Sequence, residues 1–77
     1  MKNRENSGCL NKDFGNFIRT KREQKDMYQS EVAALVGISQ AYYSYLEQGK
    51  RDVDLALAIE ICKALNVDIS EFITTYM

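Results

Sequence analysis

Apolar side chains recur at intervals of three and four residues along most of the chain, and no segment alternates apolar with polar residues. Intervals of three and four place side chains on one face of an α-helix, whereas alternation indicates a strand. The pattern therefore predicts an all-α protein with helices at about 11–25, 29–36, 40–48, 55–65 and from 68 onward. The apolar positions that define these helices are Phe14, Phe17, Ile18, Val32, Ala33, Leu35, Val36, Tyr43, Leu46, Leu55, Ala58, Ile59, Cys62, Leu65, Ile69, Phe72, Ile73 and Tyr76.

The ends of these helices depend on capping residues and glycines, because the chain contains no proline. Short polar side chains at an N-cap accept hydrogen bonds from first-turn amides, and glycine ends a helix because it adopts the left-handed conformation without strain. The predicted N-caps are Asn11, Ser39, Asp54 and Asp68, the last in the capping-box form Asp68-Ile-Ser-Glu71, and the predicted stop is Gly49.

Length and composition limit the organisation of the chain to one small domain. Its 77 residues are 45% apolar, and a chain of this size buries only about 60% of its unfolded surface. We expect a flexible polar arm at 1–10 and a single domain at 11–77. No apolar run is long enough to span a membrane, and no apolar signal region begins the chain, so we expect a cytoplasmic protein.

The segment from Gln29 to Gly49 is the most informative part of the chain. It predicts two short amphipathic helices joined by a tight turn at Gly37. In the second helix Tyr43 and Leu46 can face inward, which leaves four residues on the opposite side: Gln40, Ala41, Ser44 and Tyr45. Two helices crossing through a short glycine-containing turn form a helix-turn-helix, whose second helix fits the major groove of DNA.

Charge is distributed unevenly along the sequence, although the net charge is only −1. Residues 1–30 contain seven Lys or Arg and four Asp or Glu, for a net +3, whereas residues 31–77 contain three and seven, for a net −4. Binding to nucleic acid depends on the charge of the contacting face rather than on the total. The charge alone is equally compatible with an ordinary solvated surface.

The chemistry-bearing residues argue against an enzyme and against a metal site. The chain has no histidine, and its two cysteines, Cys9 and Cys62, are far apart in sequence. No Gly-rich phosphate loop and no nucleophile with a neighbouring base is present. We therefore expect no catalytic residues, no metal, no cofactor and no small-molecule ligand. Cys62 lies on an apolar stripe, which favours a small core residue over a functional thiol.

The last predicted helix is unusually apolar for the end of a small domain. Its apolar residues are Ile69, Phe72, Ile73 and Tyr76. They could pack onto the domain's own core, or they could form a patch that pairs with a second copy. Because one short helix cannot turn all of them inward, we expect these residues to form a homodimer interface.

Several of these motifs together resemble the DNA-binding domain of phage repressors, Cro-like proteins and xenobiotic-response-element-type (XRE) bacterial regulators. The resemblance covers roughly residues 14–72. It rests on Ile18-Arg19…Arg22, Gln29-Ser-Glu-Val-Ala33, Gly37-Ile-Ser39, Tyr43-Ser44…Glu47-Gln-Gly49-Lys-Arg51 and Ala64-Leu-Asn-Val67. It implies a five-helix, lambda-repressor-like fold and double-stranded DNA as the partner.

The resemblance also implies a role for particular residues. The positions that match the family's base-contacting residues are Gln40, Ala41, Ser44 and Tyr45. The positions that match its phosphate-contacting residues are Gln29, Ser39, Lys50 and Arg51. Arg22 and Glu47 match a family pair that forms a salt bridge between the first and third helices.

Three positions depart from the family's pattern near the recognition helices. Asp26 replaces a usual glycine, and Tyr28 stands where the family places a capping Ser or Asn, so the geometry entering the second helix is open. Tyr43 replaces a common isoleucine, so its phenol needs a polar partner or a path to the surface. We expect Tyr43 to lie in the core, Tyr45 to face DNA and Tyr42 to lie between them.

These observations favour a sequence-specific, dimeric DNA-binding transcriptional regulator, a repressor or autoregulator that binds two half-sites about 34 Å apart. The alternative is a protein-interaction module that keeps the same fold without reading DNA, which the net acidity and the apolar last helix favour. Within the first interpretation, controller proteins of restriction–modification systems, antitoxins and phage Cro-like proteins are equally compatible.

Overall fold

The computed structural model describes residues 7–76, with side chains from Leu10 onward. These residues form five α-helices and contain no strand. The helices are α1 (Ser7–Gln24), α2 (Gln29–Val36), α3 (Gln40–Gln48), α4 (Leu55–Ala64) and α5 (Ile69–Tyr76). The all-α prediction is confirmed, and the bounds of α2 and α3 coincide with the predicted ones.

The start of α1 differs from the prediction. The helix begins at Ser7, so Asn11 lies inside it and is not an N-cap. The side-chain amide of Asn11 instead donates to Asp52 Oδ1 at 2.7 Å, across to the loop after α3. Residues 7–10 therefore belong to α1 rather than to an arm. The rest of the predicted arm, 1–6, and the last residue of the predicted domain lie outside the described residues.

The predicted caps of α3 and α4 are confirmed. The hydroxyl of Ser39 accepts from the Tyr42 amide at 3.0 Å, and Asp54 Oδ1 accepts from the Leu57 amide at 2.8 Å. Gly49 ends α3 in the left-handed conformation, with φ of 75°. These local signals determine where the two helices begin and where α3 stops.

The capping box predicted at the start of α5 is not formed. Asp68 Oδ1 accepts from the amide of Ser70 at 3.0 Å rather than from the third helical position. The carboxylate of Glu71 pairs with Lys21 Nζ of α1 at 2.9 Å. A tertiary ion pair has replaced the reciprocal contact, so Glu71 ties α5 to α1.

The entry to α2 accommodates both departures from the family's pattern. Asp26 adopts the left-handed conformation with φ of 56°, which aspartate tolerates better than most non-glycine residues. Tyr28 occupies the N-cap in extended conformation, and its amide donates to Glu31 Oε1 at 2.7 Å. Its phenol is 74% exposed. The backbone and Glu31 therefore supply the cap contact that the tyrosine side chain does not.

The five helices form a closed ring of packed neighbours around the core: α1 packs on α3 and α5, α2 packs on α3 and α4, and α4 packs on α5. Aromatic rings fill the junction of α1 with α5: the Phe72 centroid lies 5.2 Å from that of Phe14 and 5.4 Å from that of Phe17. The buried apolar residues are Phe14, Phe17, Ile18, Val32, Ala33, Tyr43, Leu46, Ala58, Ile61, Cys62, Leu65 and Phe72.

Three predicted core positions are wrong. Leu35 is 66% exposed and Leu55 is 68% exposed, and Ile59 is half-buried outside the core. Leu35 lies on a short helix that packs on its neighbours along the side of Val32 and Ala33, and Leu55 is the first residue of α4. Ile61, which the pattern did not single out, is fully buried.

Cys62 lies in this core, and burial raises the pKa of its thiol to about 11. The thiol is therefore protonated near neutral pH, as expected of a packing residue. None of the helices within residues 7–76 has both the length and the apolar character needed to cross a membrane.

Two glycines bring the backbones of α1 and α3 into contact. A Cβ on Gly15 would lie 2.4 Å from the Glu47 carbonyl oxygen and 2.5 Å from that of Leu46. A Cβ on Gly49 would lie 2.6 Å from Lys12 Cγ and 2.9 Å from Lys12 Cα. No larger residue fits either position without a shift, so α1 fixes the position of the C-terminal end of α3.

Candidate nucleic-acid interface

The four predicted base-contacting residues lie together on the outer face of α3. Gln40, Ala41 and Tyr45 are exposed, and Ser44 is half-buried beside them. Residues at these intervals lie on one side of a helix. The structure therefore presents them as a continuous surface along α3.

The inner face of the same helix is buried. Tyr43 is 0% exposed and Leu46 is 2% exposed. Tyr42 is half-buried, and Tyr45 is exposed. The order of burial expected for the three tyrosines is confirmed.

A buried ion pair joins α1 to the inner face of α3. Arg22 Nε donates to Glu47 Oε2 at 2.7 Å and Arg22 Nη2 donates to Glu47 Oε1 at 3.1 Å, so the pair implied by the resemblance is present and bidentate. Arg22 Nη1 also donates to the Met27 carbonyl at 2.8 Å. One guanidinium thus fixes three elements: α1, α3 and the turn before α2.

The pKa values of this pair report how strongly it is held. Burial disfavours the charge of Glu47, but the hydrogen bond from Arg22, the nearby Tyr43 hydroxyl and the hydrogen bond from Gln29 together outweigh burial and hold its pKa below the usual range. The hydrogen bond to Glu47 raises the pKa of Arg22 above its ordinary value. Both groups are therefore charged across the physiological range.

Gln29, a predicted phosphate contact, has a structural role as well. Its Nε2 donates to Glu47 Oε1 at 2.9 Å, which ties the start of α2 to α3. A side-chain amide carries two N–H donors. One of them is used here, so the second remains for an external acceptor.

The hydroxyl of Tyr43 lies beside the ion pair with no hydrogen-bond partner among the described residues. Burial, and then the closeness of the hydroxyl to the Glu47 carboxylate and its negative charge, raise the pKa of Tyr43 well above its usual range. The phenol is therefore neutral, and its hydroxyl costs desolvation without a compensating bond.

The other predicted phosphate contacts surround α3 at its two ends. The Ser39 hydroxyl caps the helix and keeps its own O–H for donation. Lys50 and Arg51 follow the C-terminal end and are exposed. The Arg51 guanidinium carbon lies 5.9 Å from the Tyr42 ring centroid, within range of a cation–π contact.

The predicted dimer residues of α5 are not equivalent. Ile73 is 49% exposed and Tyr76 is 40% exposed, whereas Phe72 is 6% exposed. Ile69 is half-buried. Phe72 is a core residue of its own domain, because its ring packs against Phe14 and Phe17 of α1, so the surface available on α5 is smaller than predicted.

A polar depression lies beside the outer face of α3. It has a volume of about 630 Å³, and its lining residues are Lys12, Asn16, Arg19, Arg22, Glu23, Gln29, Glu47, Gln48 and Lys50. Gln48 reaches from it toward the outer face, where its Nε2 donates to Ser44 Oγ at 3.0 Å. Lys12, Asn16, Arg19 and Gln48 are not among the predicted site residues. Helical spacing of Lys12, Asn16 and Arg19 is the signal that indicates a shared face.

A family model described as helix-turn-helix matches residues 18–72, and the chain belongs to this family, of the XRE type. It is therefore a helix-turn-helix transcriptional regulator, of a family that is not enzymatic. The predicted class of protein is confirmed on this ground.

Two curated proteins resemble the chain over most of its length. Control protein C.MunI of Mycoplasma sp is 37% identical over 59 residues, which cover 75% of this chain and 80% of that protein. The HTH-type transcriptional regulator y4dJ of Sinorhizobium fredii is 42% identical over 59 residues, which cover 77% and 75%.

Solved structures share the fold. The clp gene regulator ClgR of Corynebacterium glutamicum superposes with a TM-score of 0.81 at 28% identity, covering 84% of each chain. The restriction-modification controller protein C.AhdI of Aeromonas hydrophila superposes with a TM-score of 0.81 at 27% identity, covering 87% of this chain and 97% of that one.

Proposed function

We propose that the protein binds double-stranded DNA sequence-specifically, with α3 in the major groove and with Gln40, Ala41, Ser44 and Tyr45 facing the bases. The observation that carries this proposal is the division of α3 into a buried inner face and a continuous outer face. An α-helix fits the major groove, and an amide such as that of Gln40 can pair with adenine in bidentate fashion.

The DNA backbone is held at both ends of α3. Gln29 and Ser39 contact phosphates on the N-terminal side, each with the donor that the fold leaves unused. Lys50 and Arg51 contact phosphates on the C-terminal side through their charge. Such contacts fix the register of the protein on DNA without reading sequence.

The protein acts as a homodimer on a two-fold-symmetric operator. Support comes from Ile73 of α5, which is exposed and lines an apolar groove of about 270 Å³, and from Tyr76, which is exposed one turn further along the helix. Leu10 and Leu55 border the same groove and are exposed. An apolar surface shared by three helices is the kind of surface that a second copy covers, with Ile69 and the buried Phe72 supporting it from below. Two half-sites then lie about 34 Å apart.

The regulator represses transcription, including that of its own gene, by occupying a promoter in the cytoplasm. Two of the similar proteins are named as controllers, one of them of a restriction-modification system. Their names favour a restriction–modification context over an antitoxin or a phage regulator. Reporter transcription from the operator, with and without the protein, tests the sign of regulation.

Selection of bound duplexes from a random pool at about 150 mM salt, near physiological ionic strength, tests sequence-specific binding. We expect enrichment of a two-fold-symmetric site, and sedimentation of the free protein as a dimer. Enrichment of a single half-site would refute the dimeric mode. A folded protein that enriches no sequence would support the alternative, a protein-interaction module that uses the exposed apolar surface.

A further inference from the structure

The polar depression contains cationic groups that the internal ion pairs of the fold do not use. Arg22 is committed to Glu47. By contrast, no carboxylate among the described residues lies within 4.0 Å of the side-chain nitrogens of Lys12, Arg19 or Lys50. All three side chains are exposed. Their charges are therefore available to an external anion.

The contribution of α1 follows from its packing on α3. Lys12, Asn16 and Arg19 lie at intervals of four and three residues, so they share one face of α1. The close contacts at Gly15 and Gly49 hold that helix against the C-terminal end of α3. The cationic face of α1 is thus fixed next to Lys50, at the edge of the proposed DNA-binding surface.

The lining of the depression favours an anion. It contains four cationic side chains and two carboxylates, those of Glu23 and Glu47. Arg22 neutralises Glu47 and also lies 4.0 Å from Glu23. Amide donors from Asn16, Gln29 and Gln48 complete the lining. A phosphate diester offers several acceptor oxygens and one negative charge, which matches cations and N–H donors in one place.

We infer that the polar depression binds a backbone phosphate of the DNA strand that borders the groove, with Lys12 and Arg19 of α1 as its cationic contacts. This inference rests on the proposed DNA-binding function and adds a third element to the DNA-binding surface, outside the two helices of the motif. Since phosphate contacts carry no sequence information directly, the site contributes affinity and orientation.

The test measures the dependence of DNA affinity on salt for Lys12→Gln and Arg19→Gln, on the selected operator and on a random duplex. Loss of one phosphate contact lowers the magnitude of the slope of log K against log salt by about 0.9. We expect each variant to show part of that decrease and the two changes combined to show all of it, with the same fold loss on both duplexes. Lys63→Gln, the same change on an exposed residue of α4 outside the depression, is expected to leave the slope unchanged.

A second pair of variants adds a charge instead of removing one. Asn16→Asp places a carboxylate in the depression, whereas Thr20→Asp places one on an exposed residue of α1 that does not line it. We expect Asn16→Asp to weaken binding at least tenfold more than Thr20→Asp, with both variants folded by circular dichroism.

Slopes that match the wild type in both glutamine variants, together with equal affinities for the two aspartate variants, would overturn the inference. A wild-type protein that binds no duplex would instead refute the proposed function, so the two failures are distinguishable.

Discussion

The inner and outer faces of α3 differ in almost every physical respect, although both belong to one helix of nine residues. The inner face holds Tyr43, Leu46 and Glu47, each no more than 5% exposed, and contacts α1 through side chains and backbone. The outer face carries polar and aromatic residues that few internal contacts restrain. One short helix thus separates stability from recognition. Substitutions on the inner face should change the free energy of unfolding, and substitutions on the outer face should change DNA affinity.

The largest effect is expected where the inner face buries a charge. Replacing Glu47 by Ala leaves Arg22 without its partner and removes the acceptor of Gln29, so we expect a loss of about 3–5 kcal/mol in the free energy of unfolding. Urea denaturation measures the loss. Glu60→Ala, on an exposed position of α4, should change stability by less than about 0.5 kcal/mol. A loss below about 1 kcal/mol for Glu47→Ala would show that the pair is not structurally important.

Gly15→Ala tests the contact between backbones. Alanine normally favours a helix over glycine by up to about 1 kcal/mol. Here its Cβ would overlap the carbonyl oxygens of Leu46 and Glu47, and overpacking of this kind costs about 1–3 kcal/mol. We therefore expect a net destabilisation by thermal or urea unfolding. Thr20→Ala, on an exposed site of the same helix, should not destabilise; a more stable Gly15→Ala protein would contradict the close packing.

Gln40→Ala should have the opposite signature, with binding changed and stability retained. Loss of a base contact costs about 1–3 kcal/mol of binding free energy and relaxes the preference at one base pair. Competition binding with operators altered at each position measures both effects. Gln24→Ala makes the same chemical change at the end of α1 and should leave binding intact. Equal losses on operator and random DNA would contradict base reading by Gln40.

The smallest effect is expected from Tyr43→Phe. Since the hydroxyl has no hydrogen-bond partner within the described part of the chain, its removal should leave the free energy of unfolding unchanged or raise it by up to about 1 kcal/mol. Urea denaturation measures the free energy of unfolding of this variant and of Tyr45→Phe, the same change at an exposed position of α3. A loss above about 1 kcal/mol would reveal a hydrogen bond from the hydroxyl to the buried ion pair.

The ends of α2 and α3 could be predicted from sequence because the signals are local. Ser39 caps, Gly49 stops, and the spacing between them leaves little choice of helix bounds. The all-α class and the outward position of Gln40 follow from the same periodicity. The start of α1 was placed too late because Asn11 has the form of a local N-cap, although Leu10, four residues before Phe14, already continues the apolar stripe of the helix.

Features that depend on tertiary contacts were missed or mistaken. Phe72 was predicted at a dimer interface, but Phe14 and Phe17 of α1 pack against it within the same domain. The apolar pattern predicted that Leu35 is buried, but α2 packs on its neighbours through the side of Val32 and Ala33, which leaves Leu35 exposed. The alignment of α1 with the end of α3, which creates the polar depression, depends on Gly15, and a lone glycine inside a helix does not reveal what it contacts.

The main-chain contact between α1 and α3 also affects how the protein can change over evolutionary time. Because α1 contacts main-chain carbonyl oxygens of α3, this contact does not depend on which side chains α3 carries on its outer face. The outward positions can therefore be exchanged one at a time while each intermediate still folds. A new DNA preference is reachable by single substitutions, and the same property makes the outer face of α3 the natural place to redesign specificity.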